Sequence, residues 1–131
     1  MDSLTVKTSK REQFVDITGE VQDYLTSNRL EDGVLTLYCS HTTGGLTINE
    51  GADPSVVRDI LVNLERLIPR RGDYQHSEGN SDAHIKSSLI GPSLQVIVHK
   101  GRVMLGTWQK IFFTEFDGPR TRKIWLKWIK D

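Results

Sequence analysis

The chain has four histidines, His41, His76, His84 and His99. Two of them bracket the stretch "HSEGNSDAHIK", with Glu78, Asn80 and Asp82 between. Neutral imidazole is the commonest protein ligand for transition metals, and three imidazoles plus an open position make a catalytic geometry. His41 follows an apolar run, in "SHTTGG". His84 falls in the first turn of a predicted helix, where the partial positive charge of the helix start favours the uncharged ring a metal requires. Glu78 and Asp82 could orient the imidazoles as hydrogen-bond acceptors. The spacing matches no zinc finger, and the single cysteine, Cys39, offers no sulfur site. The same residues also fit a plainer pattern, with Asp82 or Ser81 as a helix cap and Asn80 in a left-handed turn position.

Two further segments carry reactive types. In "SHTTGGLTINEGADP", Thr42, Thr43, Gly44 and Gly45 follow a predicted strand, and consecutive small residues can expose N–H groups to an anion. This is no P-loop, because the lysine is missing. Asp53 has the character of a helix cap, whereas Glu50 has no such local role. In "GTWQKIFFTEFDGPRTRK", Gln109, Glu115 and Asp117 share strand parity and therefore one face. Arg120 and Arg122 could clamp a phosphate, or the segment could be an edge strand with protective charges and a turn at Gly118-Pro119. Seventeen basic and seventeen acidic residues cancel, so Trp108, Trp125 and Trp128 read as core or subunit packing, with no nucleic-acid partner expected.

The elements that must position these residues are short. At 131 residues the chain is expected to form one domain, 1–131, without an internal repeat or linker. Leu4, Val6 and Thr8 alternate with polar residues as a first strand, and Phe14, Val15 and Ile17 suggest a second. Thr18 is a candidate cap for a helix with Val21, Tyr24 and Leu25 on one face. "VLTLYCS" reads as a buried strand, with Cys39 as a small buried hydrophobe. Asp53-Pro54 opens the clearest helix, in which Val57, Ile60, Leu61, Leu64 and Ile68 recur at three- and four-residue spacing. That stripe is expected to cover a sheet and to leave Arg58, Glu65 and Arg66 in water. After a polar loop comes a helix ended by Gly91-Pro92, then a hairpin turning at Lys100-Gly101 and two more strands. Antiparallel strands with about three helices predict an α+β fold. No signal peptide or membrane span is present, so a cytoplasmic protein with no membrane partner is expected.

In their order and spacing, "SHTTGGLTINEGADP", "HSEGNSDAHIKSSLIGPSLQVIV" and "GRVMLGTWQKIFFTEFDGPRTRK" together resemble the YjbQ family, also called the secondary thiamine-phosphate synthase family. The similarity runs from about residue 5 to residue 129. It implies mostly antiparallel sheets in a sandwich-like arrangement, a homotrimer, and polar clefts near subunit boundaries. The motif residues map onto His41, Thr42, Thr43, Glu50, Asp53, His76, Glu78, Asn80, Asp82, His84, Gln109, Glu115 and Arg120. Gly44 stands where the family often has alanine, a change expected to leave the site unaltered.

These readings combine into two expectations. The first is a metal-binding enzyme acting on a small phosphorylated metabolite, with weak thiamine-phosphate synthase activity as one expression of it. In it, His41, His76 and His84 hold a divalent metal, zinc or another transition metal; magnesium would suit a pyrophosphate substrate. Glu78, Glu50, Asp82 and Asn80 carry the chemistry, and Thr42, Thr43, Gly44, Gln109, Glu115 and Arg120 hold the substrate. The second is a non-catalytic trimeric protein that binds a metal or a metabolite.

Overall fold

The computed structural model describes all residues, 1–131. Eight strands and three helices follow in the order β1 (Asp2–Lys7), β2 (Gln13–Asp16), α1 (Thr18–Ser27), β3 (Gly33–Cys39), β4 (Gly44–Glu50), α2 (Pro54–Leu67), α3 (Ser81–Ile90), β5 (Ser93–His99), β6 (Arg102–Val103), β7 (Gln109–Glu115) and β8 (Thr121–Lys130). One sheet has the order β1-β8-β3-β5-β6 and the other β2-β7-β4, with every pairing antiparallel. This is the expected α+β class.

Alternation decides which side chains meet between the sheets. Leu35, Leu37 and Cys39 of β3, Val96 and Val98 of β5, and Ile124 and Leu126 of β8 turn inward and are buried. They join Ile111 and Phe113 of β7, Leu46 of β4, and Val21 and Leu25 of α1 in one core cluster. Cys39 is buried as expected, and burial raises its thiol pKa. The connection from β7 to β8 crosses from one sheet to the other, and it carries Asp117 and Arg120.

Three local expectations need correction. Thr18 does not cap α1. It is the first helical residue, its N–H donates to Asp16 Oδ1 at 2.9 Å, and its hydroxyl accepts from the Ile111 N–H at 2.8 Å. Neither Asp82 nor Ser81 caps α3. The cap position is Asn80, and its side chain makes no capping bond. The third concerns α2, which is capped by Asp53 and started by Pro54 as expected. Its apolar stripe does not cover a sheet, and none of its residues is fully buried. Leu67 is 77% exposed. Nor does Glu65 stand free in water, since it bonds the buried Lys86 at 3.0 Å.

Candidate functional site

Three connections meet at one end of the double sheet and enclose a polar cleft of about 340 Å³. Ser40, His41, Thr42 and Thr43 come from the β3–β4 connection, Glu78, Asn80 and His84 from the approach to α3 and its first turn, and Asp117, Arg120 and Arg122 from the β7–β8 end. No apolar side chain lines it.

The floor is an ion pair inside the protein. Arg122 shares the inward parity of Ile124 and Leu126, and Glu115 that of Ile111 and Phe113, so each points where a charge needs a partner. Arg122 Nε donates to Glu115 Oε1 at 2.8 Å, and Nη2 donates to Glu115 Oε2 and, at 2.9 Å, to Thr43 Oγ1. The Thr8 hydroxyl donates to Glu115 Oε1 at 2.8 Å and the Asp117 N–H to Oε2 at 3.0 Å. Burial acts to raise the Glu115 pKa. Arg122, the Asp117 N–H and Thr8 outweigh it, and the carboxyl lies below its ordinary value.

The walls are tied together over this floor. Asn80 Nδ2 and Arg120 Nη2 both donate to Asp117 Oδ2, at 2.8 and 3.0 Å. Arg120 Nε also donates to the Asp117 carbonyl at 2.8 Å. The bond from Asn80 Nδ2 to Asp117 holds the side chain off the helix start, its Oδ1 is buried without a partner, and the first N–H groups of α3 have no side-chain cap. His41 Nε2 accepts the Lys123 N–H at 2.9 Å, so the neutral ring carries its proton on Nδ1. Burial, and after it the Arg122 charge, hold the His41 pKa below the ordinary histidine value.

The predicted residues are brought together only in part. His84 lines the cleft and also the adjoining depression that holds His76. The two rings meet edge to face with centroids 5.4 Å apart, and His76 Nε2 lies 3.8 Å from Glu78 Oε2. His41 does not complete a triad with them. The one set of three His, Cys, Asp or Glu ligand atoms lying within 4.8 Å of one another is Glu12, Glu65 and Asp82. A metal would therefore find His76, His84 and Glu78 on one side, while the Nε2 of His41 is already committed to the backbone.

Asp82 is not a cleft residue. It stands two positions before His84, about 200° round the helix, and faces the interior. Its side chain is fully buried, accepting from both Arg11 terminal nitrogens at 3.0 and 3.2 Å and from Lys86 Nζ at 3.1 Å. Glu50 and Gln109 are also elsewhere. They are opposite one another in the β4–β7 register, whereas Gly44 faces Glu115 at the other end of the same strands. Six residues of strand, about 20 Å, separate the two ends. Glu50 accepts the Asp53 N–H and Gln109 accepts the Gly106 N–H, so both serve local turns. Gly44 and Gly45 form no anion cradle, because β4 takes them into its ladder. An alanine Cβ at position 44 would lie 2.5 Å from Phe113 Cζ, so that change requires the ring to move.

Arg122, expected as half of a phosphate clamp, instead lies in the floor of the cleft paired with Glu115, a place that its parity between inward apolar residues could have indicated. Lys86, with its partners Glu12, Glu65 and Asp82, carried no such signal.

The UPF0047 protein YjbQ-like family model matches residues 2–131. The chain belongs to the YjbQ family. A UPF0047 protein of Methanocaldococcus jannaschii is 52% identical over 126 residues, covering 96% of this chain and 91% of that one. UPF0047 protein YugU of Bacillus subtilis is 48% identical, covering 97% of each chain. A crystal structure of a conserved YjbQ/UPF0047 protein from Clostridium acetobutylicum superposes with a TM-score of 0.95 at 53% identity, covering 98% of this chain and 100% of that one. The two-sheet architecture described above is thus a YjbQ architecture.

Proposed function

We propose that this YjbQ-family cleft binds the oxyanion of a small phosphorylated metabolite and acts on it by acid–base chemistry. The observation that carries the reading is the uncapped start of α3 at the cleft wall, with its natural cap, Asn80, turned to Asp117 instead. Free N–H groups at a helix start attract anions. The other donors suit the same ligand. His41 offers Nδ1–H, and neither Arg120 Nη1 nor Arg122 Nη1 bonds within the chain. Both arginines are already paired with carboxylates, so the site is nearly neutral and selects by aimed donors more than by bulk charge. Glu78 and His84 are the acid–base candidates, since both line the cleft without being tied into its floor.

A second reading is favoured by the edge-to-face His76–His84 pair with Glu78 beside it, a donor set suited to zinc or another transition metal. A bound metal would polarise a phosphoryl or carbonyl oxygen of the substrate. Weak thiamine-phosphate synthesis belongs with either reading, because it handles a pyrophosphate and a phosphate ester. The half-covered stripe of α2, with Leu67 exposed at its end, is the kind of surface a homotrimer would bury.

Phosphorus NMR titration with phosphate and pyrophosphate tests the reading, with turnover of the two thiamine precursors alongside. Arg120→Ala should weaken anion binding about tenfold, as loss of a charge-assisted donor does. Unchanged anion affinity in Arg120→Ala and in His41→Ala would overturn it. Stoichiometric zinc that is lost in both His76→Ala and His84→Ala would instead establish the metal reading.

A further inference from the structure

We propose that Asp117 makes the cleft selective for an oxyanion that still carries a proton, so that its ligand is a phosphate monoester and not a sulfate ester. The proposal rests on the anion-binding reading above and adds to it the group that decides which anion enters.

Two carboxylates line the cleft, Glu78 and Asp117. They differ in freedom. The Glu78 side chain is 72% exposed and can turn to water. The Asp117 side chain is 17% exposed and is held from several directions. Its Oδ2 accepts from Asn80 and Arg120, its N–H donates to Glu115, and its carbonyl accepts from Arg120 Nε. The next residue is fixed as well, since the Gly118 N–H donates to the Arg11 carbonyl at 2.9 Å. Both side-chain bonds to the Asp117 carboxylate end on Oδ2. Oδ1 receives none, and it is not buried. Glu115 makes the contrast. Its side chain is fully buried, and each of its oxygens accepts from two donors. Glu115 is satisfied inside the protein, whereas Asp117 keeps an acceptor for something in the cleft.

An ionised carboxylate accepts hydrogen bonds and donates none. The groups around it, the Nδ1–H of His41 and the free nitrogens of Arg120 and Arg122, donate and call for ligand oxygens. A ligand that satisfies both kinds of group has oxygens that accept and one that donates. A phosphate monoester loses its second proton only at a pKa of about 6, so a protonated form is at hand near neutrality. A sulfate presents bare oxygens alone. It would set a lone pair against Asp117 Oδ1, leaving two acceptors face to face without a proton between them. Net charge cannot make this distinction, because sulfate and hydrogen phosphate carry the same charge. A fixed acceptor can.

Isothermal calorimetry with phosphate and with sulfate, at pH 7 and constant ionic strength, tests the proposal. Phosphate keeps at least one proton at this pH and sulfate keeps none. The wild-type protein should bind phosphate more tightly by about tenfold or more, the factor that a hydrogen bond to a charged group supplies. Asp117→Asn keeps the shape and can turn a donor to the ligand, so sulfate binding should tighten and the preference should fall towards one. His41→Ala removes a donor that serves either oxyanion, and should weaken both while keeping the preference. Urea midpoints check that the variants fold, and the comparison of the two anions on the wild-type protein needs no variant. Equal affinity of the wild-type protein for phosphate and sulfate overturns the proposal and leaves the anion-binding reading standing. A folded Asp117→Asn that keeps the wild-type preference does the same. Binding of neither anion overturns both.

Discussion

Replacing Lys86 should expose how α3 is held. Its side chain is fully buried, and Nζ donates to Glu12 Oε2 at 2.7 Å, Glu65 Oε1 at 3.0 Å and Asp82 Oδ2 at 3.1 Å. One ammonium group thus joins the β1–β2 connection, α2 and α3. Burial acts to lower the Lys86 pKa, but the three carboxylates outweigh it and the amine stays charged. In Lys86→Met the volume is kept and the charge is lost, leaving three carboxylates whose ligand atoms lie within 4.8 Å of one another. Two unit charges at that separation repel by about 3 kcal/mol at an effective dielectric constant near 20. Removing one partner of a buried pair costs about 3–5 kcal/mol. The lower end applies here, because Glu65 is 41% exposed and can turn to water. Urea unfolding at one protein concentration should therefore show a loss of about 3 kcal/mol at pH 8. The sign with pH follows from the repulsion. Crowding raises a carboxyl pKa in the folded variant above its unfolded value, so the folded form gains a proton as pH falls and the deficit against wild type narrows towards pH 5. Millimolar calcium should narrow it too, by occupying the vacated oxygen site. A loss below about 1 kcal/mol, or a deficit independent of pH and calcium, would refute this account of the cluster.

Four other outcomes follow. Glu115→Gln keeps the shape of the floor but leaves Arg122 without a counter-charge, and should cost about 3 kcal/mol by urea titration. Glu115 and Asp82 are both held below their ordinary values of 4.5 and 3.8, so wild-type stability should be constant above those values and decline as pH falls below them, measured by thermal unfolding from pH 7 to 3. In heteronuclear NMR, His41 should titrate below 6.5 and show the Nδ1–H tautomer when neutral. Gly33→Ala should cost about 1–3 kcal/mol, read as a lower urea midpoint, because its Cβ would press on the Ile129 carbonyl and lie 2.7 Å from Trp128 Cζ2.

What was legible in the sequence was what alternation and capping chemistry control. The inward run of β3, the Asp53-Pro54 start of α2, the Gly91 end of α3 and the Lys100-Gly101 turn are local signals, and they appear where those signals put them. The convergence of His41, Glu78, Asn80 and His84 at one cleft was legible only through the order of three motifs. The failures concern direction and distance. Parity puts Gln109 and Glu115 on one side of a strand, but not at one end of it. Asp82 and His84 are neighbours in sequence, yet the helix turns one to the interior and the other to the cleft. The Lys86 cluster joins residues 21 and 74 positions apart, a separation across which no periodicity speaks.

The half-covered stripe of α2 also bears on how the molecule is made. A helix of 14 residues whose apolar stripe is only half covered is marginal in water. The double sheet has its own core and can form in a step that is first order in chain. The completion of α2 depends on whatever meets its stripe, and if that is another copy, the step is of higher order. Dilution would then loosen α2 and its Glu65 link before it disturbs the sheets, leaving the cleft built but one of its supports slack.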